Sequence, residues 1–215
     1  MGTRIQNLAN NFTTAGIVKA AAINNTSVSG ITSLPSGVGG GLTLVSSQTA
    51  SASASLEFSM DSTYDSYVFK FINIHPSAQD SLTDLVINFS TDGGSNYNVL
   101  QTSTFFGAYH HEGDAYSGLE YYPSLDVAQG TNAGLVDNAG NSNDASISGY
   151  LQIFNPSSST FVKHWIGSMS LDQNGVSATT HVAGYGNTTN SINAVQYKFL
   201  SGNIDDGIIK MYGVA

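Results

Sequence analysis

Ser51-Ala-Ser-Ala-Ser-Leu-Glu-Phe-Ser-Met-Asp-Ser-Thr-Tyr-Asp-Ser-Tyr-Val-Phe-Lys-Phe-Ile-Asn-Ile-His-Pro76 is the stretch that decides the fold class. In its first half Ala52, Ala54, Leu56, Phe58 and Met60 alternate with Ser51, Ser53, Ser55, Glu57 and Ser59. Successive side chains of a strand point to opposite faces, so this pattern predicts a half-buried β-strand over 52–60. A polar turn, Asp61-Ser-Thr-Tyr-Asp65, leads into a denser apolar run from Tyr67 to Ile74. That run reads as a second strand, closed near Pro76, because proline cannot donate to a sheet ladder.

The same pattern repeats to the end of the chain. Strands are expected over 42–49, 52–60, 66–75, 83–91, 97–107, 117–122, 146–154, 160–170, 179–185, 193–200 and 207–214. Asp92-Gly93-Gly94 reads as a hairpin turn, because glycine accepts the positive φ that tight turns require. Many short strands at regular spacing predict an all-β, antiparallel β-sandwich of jelly-roll type. Segment 123–145 is polar and rich in Gly and Asn, and reads as a surface excursion or part of a binding face.

Composition fits this reading. The 215 residues suit one domain with an extension, and 40% hydrophobic content supplies a core. Charged residues make up only 10%, against about 25% in ordinary soluble domains. The surface must therefore be built of Ser, Thr, Asn, Gln and Gly, as suits a protein held in an assembly or built of strands and turns. The net charge is −9, and no Lys or Arg lies between Lys70 and Lys163. Both facts argue against nucleic-acid binding by phosphate neutralisation and against attachment to an anionic bilayer. No segment is long and apolar enough to insert in a membrane, and no signal peptide is evident. With no cysteine, disulfides, zinc-thiolate sites and cysteine nucleophiles are excluded.

Residues 1–41 differ in character. Phe12 is their only aromatic, and they end in Ser33-Leu-Pro-Ser-Gly-Val-Gly-Gly-Gly41, a hinge-like sequence. They read as an anchor or partner-binding arm, with residues 42–215 forming the sandwich domain. A disordered leader or an extra strand on the main domain is the alternative.

Candidate chemistry is sparse. His110-His111-Glu112-Gly113-Asp114 carries metal-ligating types, but neighbouring residues of a strand face opposite ways, so it reads as a polar strand end. Asp137-Asn-Ala-Gly-Asn-Ser-Asn-Asp144 is oxygen-rich without the spacing of an EF-hand loop. His75 and His164 read as structural or surface-strand residues. Glu57, Glu112 and Glu120 are the only glutamates, and none sits in a recognisable catalytic setting. No catalytic residue, metal ligand or cofactor is assigned. Tyr109, Tyr116, Tyr121 and Tyr122 flank the acidic loop and are the candidate glycan contacts, since aromatic rings stack on sugars. The alternative is that they fill the core or a subunit interface.

Asp61-Ser-Thr-Tyr-Asp-Ser-Tyr-Val-Phe-Lys-Phe-Ile-Asn-Ile-His-Pro76 resembles a domain widespread in tailed-phage virion proteins of marine and cyanobacterial phages. Further matches follow in order: Asp92-Gly-Gly-Ser-Asn-Tyr-Asn98, Phe106-Gly-Ala-Tyr-His110, Phe154-Asn-Pro-Ser-Ser-Ser-Thr160, Val162-Lys-His164, Val182-Ala-Gly-Tyr185 and Ile209-Lys-Met-Tyr-Gly213. The resemblance spans about residues 42–215. It implies a virion structural protein at the particle surface, of tail-fibre or knob type, that is not an enzyme. Leu34 to Gly40 looks like a shortened version of the leader found in such proteins, so a compact knob fits better than a whole fibre. The arm would dock on another virion protein through Ile5, Leu8, Phe12, Ile17, Val18 and Ile23. A homo-oligomer, with a trimer favoured by analogy, is the expected state, and a host cell-surface glycan is a candidate partner. A capsid decoration protein and a carbohydrate-binding receptor tip are the alternative readings. A glycan-cleaving enzyme would need a facing carboxylate pair, for which the sequence shows no motif.

Overall fold

The computed structural model describes residues 41–78 and 83–214. The docking residues Ile5, Leu8, Phe12, Ile17, Val18 and Ile23, and all of the expected arm before Gly41, lie outside the described residues. The described chain forms thirteen strands in two antiparallel sheets: β1 (Thr43–Thr49), β2 (Leu56–Ser59), β3 (Ser66–Pro76), β4 (Leu85–Ser90), β5 (Gln101–His111), β6 (Ser117–Tyr121), β7 (Ala128–Gly130), β8 (Ala133–Val136), β9 (Ile147–Phe154), β10 (Lys163–Asp172), β11 (Val176–Gly186), β12 (Ala194–Phe199) and β13 (Ile204–Val214). The larger sheet runs β1-β13-β3-β9-β10-β11-β5-β6, with β7 also pairing β5. The smaller runs β2-β12-β4-β8. The chain passes repeatedly from one sheet to the other, as the sandwich reading requires.

Period-two burial decides which side of each strand meets the core. In β10, Lys163, Trp165, Gly167, Met169 and Leu171 are buried while His164, Ile166 and Ser170 are exposed. β5 alternates in the same way from Gln101 to Gly107. Between the sheets, Tyr197 of β12 meets Phe69 and Phe71 of β3 edge-on at centroid distances of 5.3 and 5.0 Å, and within its own sheet it meets Phe58 of β2 at 6.2 Å. Each such fully buried side chain contributes roughly 1.5–3 kcal/mol of transfer free energy. Polar cross-ties join the layers: Thr180 Oγ1 donates to the Leu135 carbonyl at 2.7 Å, and Gln101 Nε2 to the Ile87 carbonyl at 3.0 Å.

Three details depart from the sequence expectation. The alternation over 52–60 holds only from Leu56 onward; Ala52 and Ala54 are exposed. Ala52 has φ 50°, and Ser53 bridges to Ile204, so this segment carries the chain from β1 in one sheet to β2 in the other. Alanine gains too little from burial to hold such a segment in register. Asp92-Gly93-Gly94 does not close a hairpin, since β4 and β5 belong to different sheets. Gly93 and Gly94 do take positive φ, 74° and 89°, but the turn arches between layers. Its Asp92 carboxylate accepts from Asn96 Nδ2 and Ser90 Oγ, each at 2.7 Å, and from the Asn96 amide at 2.9 Å, which hold its pKa down at about 2. Finally, segment 123–145 contains two strands, β7 on the larger sheet and β8 on the smaller. Between them the Thr131 carbonyl and Asn132 Oδ1 accept from Asn88 Nδ2, so this segment is tied to β4, all of whose residues are buried.

Candidate functional site

The outer face of the larger sheet carries the most unusual surface of the described chain. Antiparallel register brings one outward residue from each neighbouring strand into a line: Tyr121, Phe106, His181, Ser168, Tyr150, Lys70, Lys210 and Ser47. A parallel line runs Thr104, Ala183, Ile166, Gln152, Val68, Tyr212 and Leu44. Neither line contains a carboxylate, in a chain of net charge −9. Large apolar groups stand in solvent here: Phe106 is 43% exposed, Tyr150 46%, Ile166 50% and Phe154 41%. The solvent face of an antiparallel sheet is ordinarily polar, so an apolar one marks a contact surface.

Two shallow depressions lie on this face. One, of about 220 Å³, is bordered by Phe106, Tyr150, Ser168 and His181. The other, of about 480 Å³, is bordered by Phe154, His164, Ile166 and Tyr185, with Thr102 at its rim. They share Thr104, Ile166 and Ala183. The rings are held in place by their neighbours: Phe106 lies 5.4 Å from His181, His164 lies 6.0 Å from Tyr185, and Lys70 Nζ stands 5.0 Å from the centre of the Tyr150 ring. Further along the face is a hydroxyl-lined hollow of about 360 Å³, formed by Ser146, Ser148, Ser170 and Ser177 with Glu112 and Asp172. Flat rings beside hydroxyl, amide and imidazole groups can stack on a sugar ring and hydrogen-bond its hydroxyls.

The four candidate tyrosines do not form one surface. Tyr121 pairs with Phe106 on the outer face and donates to Asp126 Oδ2, an acceptor that pushes its pKa up. Tyr122, the next residue, turns inward and meets Phe105 edge-on at 5.4 Å, and burial raises its pKa. Tyr109 also lies on the core side, packed against the core, with Gly118 opposite leaving room for its ring. Tyr116 is exposed, 6.1 Å from Tyr109 and 4.9 Å from His111. Tyr121 alone of the four belongs to the outer face of the sheet; Tyr109 and Tyr122 are packing residues. Phe106, Tyr150, Phe154, Ile166, His181 and Tyr185, which stand on this face, are not among the contact residues expected from the sequence. For Phe106, Tyr150, Phe154 and Ile166 a signal was present: Phe105-Phe106, Tyr150-Leu151, Ile153-Phe154 and Trp165-Ile166 are adjacent apolar pairs, so those strands are apolar on both faces.

In the histidine loop, His110 Nε2 lies 3.0 Å from Asp114 Oδ1, while His111 Nδ1 accepts from the Gly113 amide at 3.0 Å. Among the described residues no group of three His, Cys, Asp or Glu side chains is placed to hold a metal ion. Asp137 is half-buried; burial, then the nearby Asp84 and Glu120 charges, raises its carboxyl pKa. His75 Nε2 lies 3.2 Å from the Ser142 carbonyl, at the far end of β3.

No family model and no curated protein matches this sequence. Among solved structures, one from A. japonicus, described as CB05, is 8% identical with a TM-score of 0.29; the match covers 82% of this chain and 26% of that one. This chain thus spans about a quarter of that protein. An aerolysin-like protein from Bombina maxima is 11% identical with a TM-score of 0.13, covering 74% of this chain and 88% of that one.

Proposed function

We propose that the protein is a non-enzymatic surface subunit of a bacteriophage particle, an appendage of tail-fibre or knob type. The arm of residues 1–41 attaches it, and the outer face of the larger sheet meets a glycan of the host cell surface. One observation carries the contact role: register assembles Phe106, Tyr150, His181 and Ile166 into an exposed, carboxylate-free platform on a rigid sheet. Sheets position such groups more accurately than loops do. The particle context rests on the sequence resemblance from Asp61 to Gly213. A homotrimer is the proposed oligomer, by analogy with small phage knobs.

The test is particle composition and position. Purified phage should contain the protein, and a cryo-EM map should place its copies on the tail axis. Copies on the icosahedral lattice would instead make it a capsid decoration protein, and absence from particles would overturn the proposal. Removing residues 1–41 should abolish incorporation; a shortened chain that still assembles would refute the arm's role.

A further inference from the structure

We infer that the outer face selects an acidic saccharide, whose negative group is held by Lys70 and Lys210 while a sugar ring stacks on Tyr150. This rests on the reading of that face as a glycan platform and names the ligand class. Lys70 and Lys210 are direct cross-strand partners on β3 and β13, and Lys70 is the partner of Tyr150 on β9. Directly opposed residues have Cβ atoms about 5 Å apart, and like charges so placed destabilise a sheet. Among the described residues no carboxylate pairs with them. Their register neighbours on this face are Val68, Ile72, Ile208, Tyr212 and Ser47, and neither lysine forms an ion pair among the described residues.

The scarcity of cations makes the pairing informative. The whole sequence has 6 Lys and Arg, and the described residues hold Lys70, Lys163, Lys198 and Lys210. Lys163 is buried, with Nζ donating to the Phe161 and Thr188 carbonyls. Two of the remaining three thus stand side by side at the end of the aromatic line, although the chain as a whole repels anions. An anion placed between them removes their mutual repulsion, a gain that no neutral sugar can supply. The Tyr150 ring is exposed and Lys70 Nζ stands 5.0 Å from its centre, so a sugar ring packed on the remaining open surface of Tyr150 brings its negative group beside that ammonium. A second copy of this chain is the less favoured occupant, because the smaller depression, bordered by Tyr150, the register partner of Lys70, is a shallow hollow between rings, suited to a single sugar ring.

The full chain would be titrated calorimetrically with oligogalacturonate and with dextran sulfate, each beside its neutral counterpart, the methyl ester and plain dextran. At least one charged saccharide is expected to bind at least tenfold more tightly than its neutral form, with affinity falling as salt rises. Lys70→Gln with Lys210→Gln should remove that preference while leaving thermal stability unchanged or higher, and Lys70→Arg with Lys210→Arg should keep it. Tyr150→Ala should weaken charged and neutral forms alike. Equal binding of charged and neutral forms would overturn the inference and leave the platform reading standing. Equal affinity for inorganic sulfate alone would overturn it as well, showing a bare anion site. If no saccharide binds and the glutamine variant changes the oligomeric state, the face joins copies of the chain and both readings fall.

Discussion

Tyr197→Phe should stabilise the protein. The Tyr197 ring is fully buried, and its hydroxyl has no hydrogen-bond partner. Burial raises its pKa well above the usual phenol value. A buried hydroxyl left unpaired costs about 1–3 kcal/mol relative to water. Phenylalanine keeps the ring and with it the edge-on contacts to Phe58, Phe69 and Phe71. The oxygen's lost dispersion contacts cost a fraction of this, about 0.5 kcal/mol, because only one atom is removed. The expected net gain is about 1 kcal/mol, which for a domain of this size raises the melting temperature by roughly 2–4 °C. Urea unfolding measures it directly, with the m-value unchanged. Tyr67→Phe is the matched control. That hydroxyl donates to Asp61 Oδ1 at 2.7 Å, and burial with this acceptor pushes its pKa up to about 12. Its loss should destabilise by about 1 kcal/mol. Two identical changes of opposite sign test the hydrogen-bond argument itself. If Tyr197→Phe lowers the urea midpoint, or both variants shift the same way, the reasoning fails.

Two further predictions concern the sheet and the acidic side of the core. Gly149→Ala should destabilise by about 2 kcal/mol, because the new Cβ would meet the Ser168 carbonyl oxygen, with Met169 Sδ at 2.6 Å and Met169 Cα at 2.8 Å; a melting temperature equal to that of the native chain would show that β9 and β10 separate without cost. Asp137→Asn should raise stability at neutral pH. The folded-state pKa of Asp137 is raised, so its contribution is complete below about pH 3.8 and is lost as pH rises through the raised value. The gain in urea midpoint should therefore be present at pH 7 and absent at pH 3, and an equal gain at both would remove ionisation as the cause.

The sequence made the strands legible because hydrophobic alternation is local. Leu56 and Phe58 announce one face of β2 without any knowledge of a partner strand. β7 and β8 were missed because Ala128–Gly130 and Ala133–Val136 are too short for a period to show. The arch at Gly93-Gly94 was mistaken for a hairpin because glycine reports a positive φ and not which sheet receives the next strand. The site was less legible still. Tyr121 and Tyr122 are adjacent, so a strand must send them to opposite faces, and proximity in sequence was a poor guide. Phe106, Tyr150, His181 and Lys210 come from four separate strands, and register alone brings them into line.

The position of β13 bears on how the protein is made. Among the described strands it is the last to be synthesised, yet it lies between β1 and β3, two of the first. Until Ile204–Val214 is synthesised, Thr43–Thr49 has no ladder partner among the described strands, and Ser66–Pro76 has one open edge. The nascent chain must therefore keep two β-rich segments soluble until β13 emerges. Loss of the final eleven residues of the ladder would not trim an edge: it would detach β1 and expose β3, and the expected product is aggregate rather than a shortened domain.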